Sequence, residues 1–220
     1  MAMTAVSVDS LVALGFVLGL RHAIEADHLA AISTIVTERR SLLSSLLVGA
    51  SWGFGHTLAL LVAGVGVLLL RYQMTDRLAH ALELGVGMML VLLGGNVLRT
   101  LVDRGASHGH AHPTVAADSH ADAWLVARPL LVGMVHGLAG SAPLLLLTLT
   151  VLSSPVEAFS YIAVFGVGSM IGMAVLSTVI AVPLAASARW LTWANRGLQA
   201  TVGAVTVAIG VTTIVETVFG

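Results

Sequence analysis

Six stretches of this 220-residue chain are apolar over a length that can cross a bilayer, and they constrain its fold more than any other feature. A transmembrane helix needs about 20 apolar residues, because each residue adds about 1.5 Å and the hydrocarbon core is about 30 Å thick. The six stretches are residues 8–34, 42–70, 78–102, 127–152, 157–185 and 191–218. The sequence therefore predicts an all-α, polytopic membrane protein with six transmembrane helices.

The composition excludes several other classes of protein. Charged residues make up 10% of the chain and hydrophobic residues 57%, which is too little charge to cover a soluble domain of this length. The formal net charge of −1 excludes a nucleic-acid binder that works through a basic surface. Because the chain has no cysteine, disulfides, iron–sulfur clusters and thiolate metal sites are also excluded. The lipid bilayer is the expected surrounding.

The arginines predict how the chain is oriented in the cytoplasmic membrane. One side of the predicted spans carries Arg39, Arg40, Arg99, Arg104, Arg128, Arg189 and Arg196. The other side carries Arg71 and Arg77. Since short cytoplasmic loops are enriched in basic residues, we expect the arginine-rich side to be cytoplasmic and both termini to lie outside. The long polar connection 103–126 is then cytoplasmic.

Matching glycines indicate that residues 1–102 and 127–220 are related three-helix units. The matches are Gly19 with Gly133, Gly53 and Gly55 with Gly166 and Gly168, and Gly87 and Gly94 with Gly203 and Gly210. Three spans is an odd number, so the second unit must start on the opposite side of the membrane. This predicts a 3+3 inverted repeat, as in many secondary transporters. The alternative is that these glycines only allow close helix packing.

A polar cluster lies near the centre of the first apolar stretch. It reads Arg21-His22-Ala23-Ile24-Glu25-Ala26-Asp27-His28, with apolar residues on both sides. An ionised side chain at that depth costs about 2.5–3.5 kcal/mol on insertion scales, so such residues are functional by default. We therefore predict a binding site here rather than a helix end at the membrane surface.

The spacing within this cluster leaves two interpretations open. In a straight helix, His22, Glu25 and His28 share one face, and Arg21 is placed to pair with Glu25. His28 would then lie about 9 Å along the axis from His22, too far for one ion to bind both rings at about 2.0–2.1 Å. Either the helix is distorted, or only part of the cluster binds the ion and the rest orients the ligands.

Two further histidines are predicted near the same depth, His56 in span 2 and His136 in span 4. Either one alone is also explained as a hydrogen-bonded core residue. A ligand set of imidazole and carboxylate without sulfur suits Ni(II), Co(II) or Zn(II), and Fe(II) or Mn(II) less well. The predicted metal ligands are His22, Glu25, Asp27, His28, His56 and His136, and the predicted supporting residues are Arg21, Thr57, Asn96 and Ser141.

The polar connection 103–126 carries its own histidines. His108, His110 and His112 alternate along it, and His120 follows. His-rich tracts bind metals weakly through neutral imidazole, so this segment is a predicted accessory metal-binding loop. The alternative is a solvated linker that happens to contain histidine.

At these positions the sequence resembles the nickel/cobalt transporter family. The stretch from His22 to His28 is similar to the family's H-x4-D-H signature, with Glu25 where Asp is usual, and Gly55-His56-Thr57 is similar to its second motif. The stretch His136-Gly137-Leu138-Ala139-Gly140-Ser141-Ala142-Pro143 resembles the third motif region of the short, urease-accessory-type branch. Many members have eight spans, and the long members carry Asp and Thr where this chain has Gly140-Ser141-Ala142.

We hypothesise a secondary transporter that works by alternating access about a midplane site. The resemblance implies import of Ni(II) or Co(II) through the cytoplasmic membrane. It implies that His22, Asp27 and His28 bind the ion and that His56 assists. It also implies a link to urease maturation, with the transported ion as substrate and no permanently bound cofactor. A cytoplasmic nickel chaperone and a second copy of the chain are the candidate protein partners.

Three alternatives remain open at this point. Related proteins export metals, so an efflux transporter is the first. His22-x-x-Glu25-x-x-His28 combines metal ligands with a general base, so an intramembrane zinc-dependent hydrolase is the second. The third is a metal-sensing or metal-donating subunit that acts only with partners.

Overall fold

The computed structural model describes residues 8–37, 41–70, 75–106, 119–139, 154–190 and 192–219, which are almost entirely helical. Within these ranges the helices are α1 (Val8–His22), α2 (Ala26–Thr37), α3 (Leu42–Leu70), α4 (Asp76–Ala106), α5 (Ser119–Ala139), α6 (Pro155–Trp190) and α7 (Thr192–Phe219). The prediction of an all-α protein is confirmed.

Four helices in the described part of the chain are long and apolar enough to cross a membrane. The spanning stretches are Leu42–Gly66 in α3, Asp76–Asp103 in α4, Pro155–Ser187 in α6 and Trp193–Phe219 in α7. A shorter apolar stretch, Val126–Ala139, forms much of α5. Large apolar side chains such as Phe54, Val62 and Leu92 are exposed on these helices, as contact with lipid allows. The chain is a multi-pass membrane protein.

The first predicted span is not one continuous helix. α1 ends at His22, and α2 begins at Ala26 after a turn. In this turn the amides of Ile24 and Glu25 each donate at 3.1 Å to the carbonyl three residues earlier. Helical bonding resumes where the Leu29 amide donates to the Glu25 carbonyl at 2.9 Å. A straight helix over residues 8–34 is therefore wrong. The structure shows the other possibility, a helix that is distorted within the polar cluster.

Glycines bring α4 and α7 into contact backbone to backbone. A Cβ atom at Gly94 would lie 2.6 Å from the Gly203 carbonyl oxygen, and one at Gly210 would lie 2.7 Å from the Gly87 carbonyl oxygen. Both separations are shorter than real Cβ contacts, so no other residue fits without moving a helix. The two glycine pairs thus fix how closely these helices cross.

α3 is held between α5 and α6 in the same way. A Cβ atom at Gly55 would lie 2.2 Å from the Leu130 carbonyl oxygen in α5, and one at Gly53 would lie 2.6 Å from the Met170 Cα atom in α6. His56 follows directly in the chain. The glycines therefore place the backbone of His56 in the centre of the helix bundle.

Helix extends into both ends of the segment predicted as the polar loop 103–126. α4 continues to Ala106, and α5 begins at Ser119, so His120 lies in the first turn of α5. His108, His110 and His112 lie outside the described residues, and so does Ser141. Metal binding by the loop stays a prediction.

We predict that Gly94→Ala destabilises the protein while Gly95→Ala does not. The added methyl group at Gly94 meets the Gly203 carbonyl and forces α4 from α7, at a cost of about 1–3 kcal/mol. At Gly95 nothing lies within 4 Å, and alanine favours helix over glycine by up to about 1 kcal/mol. Thermal unfolding of the purified variants in detergent measures both changes, and equal melting temperatures would contradict this packing.

Candidate metal site

The turn between α1 and α2 brings His22 and His28 together. The centroids of their rings are 4.4 Å apart, whereas a straight helix would separate the two residues by about 9 Å along its axis. His22 is the last residue of α1, and His28 lies in the first turn of α2. Both side chains are buried, with 4% and 0% of their surface exposed. Because of the turn, both rings can approach the same ion, which their spacing in a straight helix would not allow.

His56 from α3 and His136 from α5 join these two rings, and both are fully buried. The centroid of the His56 ring is 5.1 Å from that of His22 and 5.3 Å from that of His28. The His136 ring is 4.3 Å from His28. A Cβ atom at Gly137 would lie 2.6 Å from the His56 carbonyl oxygen, so glycine again permits the approach. The structure therefore groups the four histidines that the sequence selected in the spans.

The Nδ1 atoms of His22 and His28 each lie within hydrogen-bond distance of a carboxylate. Glu25 Oε2 is 3.0 Å from His22 Nδ1, and Asp27 Oδ1 is 2.9 Å from His28 Nδ1. A carboxylate that accepts from Nδ1–H fixes the tautomer and leaves Nε2 as the nitrogen that can bind a metal. His22 Nε2 lies 3.2 Å from His56 Nε2. His28 Nε2 is buried and has no hydrogen-bond partner among the described residues.

Two overlapping groups of side chains have the separations of metal ligands. The ligand atoms of His22, His28 and His56 lie within 4.8 Å of one another, and so do those of Asp27, His28 and His136. In the second group Asp27 Oδ2 is 2.9 Å from His136 Nε2, so this carboxylate joins two rings. The first group offers three imidazoles, a ligand set that suits Ni(II), Co(II) and Zn(II).

The predicted supporting residues lie elsewhere. Arg21, which a straight helix would place to pair with Glu25, is exposed at the end of α1. Glu25 forms its ion pair with His22. The Thr57 hydroxyl donates to the Gly166 carbonyl at 3.1 Å, which joins α3 to α6. Asn96 is exposed on α4.

Sequence reasoning missed Trp52, which packs against the histidines. It lies four residues before His56 on α3 and is fully buried. The centroid of its ring is 5.8 Å from that of His136 and 6.2 Å from that of His28. Its spacing from His56 was the available signal, because residues four apart share one helix face. Trp52 limits how far these rings can move.

The chain is similar over most of its length to a known protein. It is 35% identical over 204 residues to the urease accessory protein UreH of Bacillus sp. (strain TB-90), and the match covers 90% of this chain and 88% of the relative. No protein-family model matches the chain. No solved structure gives a significant match either.

This similarity decides between the broad classes considered for the sequence. The chain is not an enzyme, so the zinc-dependent hydrolase is set aside. The match agrees with the motifs around His22, His56 and His136, which resemble one branch of a transporter family. The chain belongs to the nickel/cobalt transporter family, in the urease-accessory branch that includes UreH.

Proposed function

We propose that the protein carries Ni(II) or Co(II) across the cytoplasmic membrane in the direction of uptake. The observation that carries this proposal is the buried group formed by His22, His28 and His56 within a bundle of membrane-crossing helices. Polar side chains at such depth are costly unless they bind something. A divalent ion coordinated by these rings would satisfy them, and the UreH relationship favours nickel.

The two ligand groups provide neighbouring positions for an ion. His28 belongs to both, with Nδ1 bonded to Asp27 and Nε2 directed away from that bond. The ion would be held first by Asp27 and His136 and then by His28 Nε2 together with His22 and His56. Alternating access needs a site reached from either side in turn, and two adjacent positions of similar chemistry suit that requirement.

We infer in addition that residues 1–102 and 127–220 form a 3+3 inverted repeat with six membrane crossings. In α4 and α7 the contacts between glycines come in a matched pair, Gly94 with Gly203 and Gly87 with Gly210. The alignment of the two halves matches Gly87 with Gly203 and Gly94 with Gly210. Replacing each glycine of the Gly94–Gly203 contact by its match therefore gives the Gly87–Gly210 contact. A two-fold axis between the halves explains this exchange.

The same alignment also relates the contact between α1 and α6 to the contact between α5 and α3. A Cβ atom at Gly19 would lie 2.1 Å from the Phe165 carbonyl oxygen, where α1 meets α6. A Cβ atom at Gly133 would lie 2.2 Å from the Trp52 carbonyl oxygen, where α5 meets α3. Gly19 aligns with Gly133, and Phe165 with Trp52. The proposed axis passes close to the histidine cluster, where transporters with inverted repeats bind substrate.

The proposed orientation places the segment 103–126 in the cytoplasm and both termini outside. The arginine distribution supports this orientation. His108, His110, His112 and His120 would receive the ion after release and pass it to a cytoplasmic nickel chaperone. A role beside urease maturation is in line with the name of the relative.

We predict that His28→Ala abolishes nickel uptake, because both ligand groups lose their shared member. The measurement is accumulation of radioactive Ni(II) by right-side-out membrane vesicles. The control is Asp76→Asn, an exposed residue at the start of α4, which should retain uptake. Normal uptake by His28→Ala would contradict the site, and export from vesicles loaded with Ni(II) would favour the efflux alternative.

We also predict that Asp27→Asn weakens nickel binding by about 10–100-fold, the usual effect of losing a group that orients a ligand. Asp27 holds the rings of His28 and His136, each at 2.9 Å. Calorimetric titration of the purified protein with Ni(II) measures the affinity. Asp76→Asn, an exposed residue at the start of α4, is the control and should bind as the wild type does. Unchanged affinity in Asp27→Asn would show that the carboxylate plays no part.

A further inference from the structure

We propose that a polar cavity beside the histidine cluster is the vestibule through which the divalent cation reaches the site, and that Glu83 and Glu216 draw the cation into it. This inference rests on the proposed transport function and adds to it a path and two recruiting residues. The cavity lies between the start of α4 and the end of α7, where these helices meet α2 and α5.

The cavity is large enough for a hydrated ion. Its volume is about 340 Å³. At about 30 Å³ per water, an ion with six waters needs roughly 180 Å³. The cavity could therefore hold a divalent cation together with its hydration shell, and the ion would exchange waters for protein ligands at Asp27.

Asp27 connects the cavity to the metal site. Its side chain forms part of the cavity wall and is 28% exposed. The same carboxylate is 2.9 Å from His28 and 2.9 Å from His136. His136 Nδ1 is buried without a hydrogen-bond partner in the described part of the chain. An ion at the inner end of the vestibule thus lies beside the second ligand group.

The vestibule wall carries groups that attract cations. Glu83 and Glu216 line it, and so does His80. Glu83 is partly buried and lies seven residues into α4, about 10 Å from the start of the helix. His80 Nδ1 is 2.6 Å from the Asp76 carbonyl oxygen, which can only accept, so Nδ1 donates this hydrogen bond. Clefts lined by one sign of charge raise the local concentration of the opposite ion.

The corresponding positions of the other half lack this charge. The shift that aligns the glycines of α4 and α7 sets Gln199 on Glu83 and Thr100 on Glu216. Arg196 lies one turn before Gln199. In the proposed orientation, the acidic mouth faces outside and the neutral to basic counterpart faces the cytoplasm. The aligned glutamates therefore concentrate cations at the outer mouth, which lowers KM for ions that enter from outside.

The first test is the double variant Glu83→Gln with Glu216→Gln. We expect KM for Ni(II) uptake to rise on the order of 10-fold with little change in the maximal rate, because electrostatic focusing acts on encounter. High salt should remove most of the difference. Glu157→Gln is the matched control, since Glu157 lies at the start of α6, on the same side in the proposed orientation, and is not among the residues of the vestibule wall.

The outcomes separate this inference from the transport proposal. An unchanged KM in the double variant, with active wild type, would overturn the vestibule and leave transport intact. A loss of Ni(II) affinity in the double variant that persists at high salt would also overturn it, because the glutamates would then act as ligands at the binding site itself. Wild-type vesicles that take up no Ni(II) would refute the transport function and this inference with it.

A second test uses the absence of cysteine, which makes any introduced thiol unique. Thr213 lines the vestibule, and its exposed neighbour Thr212 does not. In cells expressing Thr213→Cys, we expect a membrane-impermeant cationic thiol reagent to react from outside faster than an anionic one. Adding Glu83→Gln and Glu216→Gln should remove that preference. Thr212→Cys should react with neither reagent, because its exposed side chain lies on a membrane-crossing stretch and faces lipid.

This labelling does not depend on transport activity, so it tests the vestibule even if uptake fails. Reaction of Thr213→Cys at equal rates with both reagents would overturn the negative potential of the vestibule. Failure of both reagents to react with Thr213→Cys from outside would overturn the proposed orientation.

Discussion

The proposed metal site depends on one interruption of the backbone, the turn that separates α1 from α2. Free amides and carbonyls are costly inside a membrane, so the ends of the two helices need partners. Asp27 supplies one of them, because its Oδ1 accepts from the backbone amide of His28 at 2.8 Å and from its ring at 2.9 Å. A single carboxylate thus caps the start of α2 and orients a ring. Without the turn, His22 and His28 could not face the same ion.

Close packing holds the other rings against this turn. Glycines in α3 and α5 bring the backbones together, so His56 and His136 arrive at fixed positions. Two ring nitrogens of the cluster, His28 Nε2 and His136 Nδ1, are buried without hydrogen-bond partners among the described residues. A buried polar group without a partner costs about 1–3 kcal/mol. Binding of an ion by such a nitrogen would recover part of that cost, which favours metal binding by the cluster.

The sequence predicted the helices and the ligand candidates because both follow from the chemistry of single residues. Long apolar runs must be helical in lipid, and ionisable residues within them are rarely accidental. The turn was not predictable from residues 23–25, which contain neither glycine nor proline. The turn packs closely on α6, since a Cβ atom at Gly172 would lie 2.6 Å from the Ala23 side chain, and a contact between residues so far apart in the chain cannot be read from the local sequence. Trp52 was missed because an aromatic residue in an apolar helix looks like core.

The central claim is that His22 and His28, brought together by the turn, bind the same ion. X-ray absorption of the purified protein loaded with one equivalent of Ni(II) tests it most directly, since the outer-shell scattering counts imidazole rings. We predict three rings in the wild type and one fewer in each of His22→Ala and His28→Ala. A wild-type spectrum of oxygen ligands alone, or one that His22→Ala leaves unchanged, would contradict the claim.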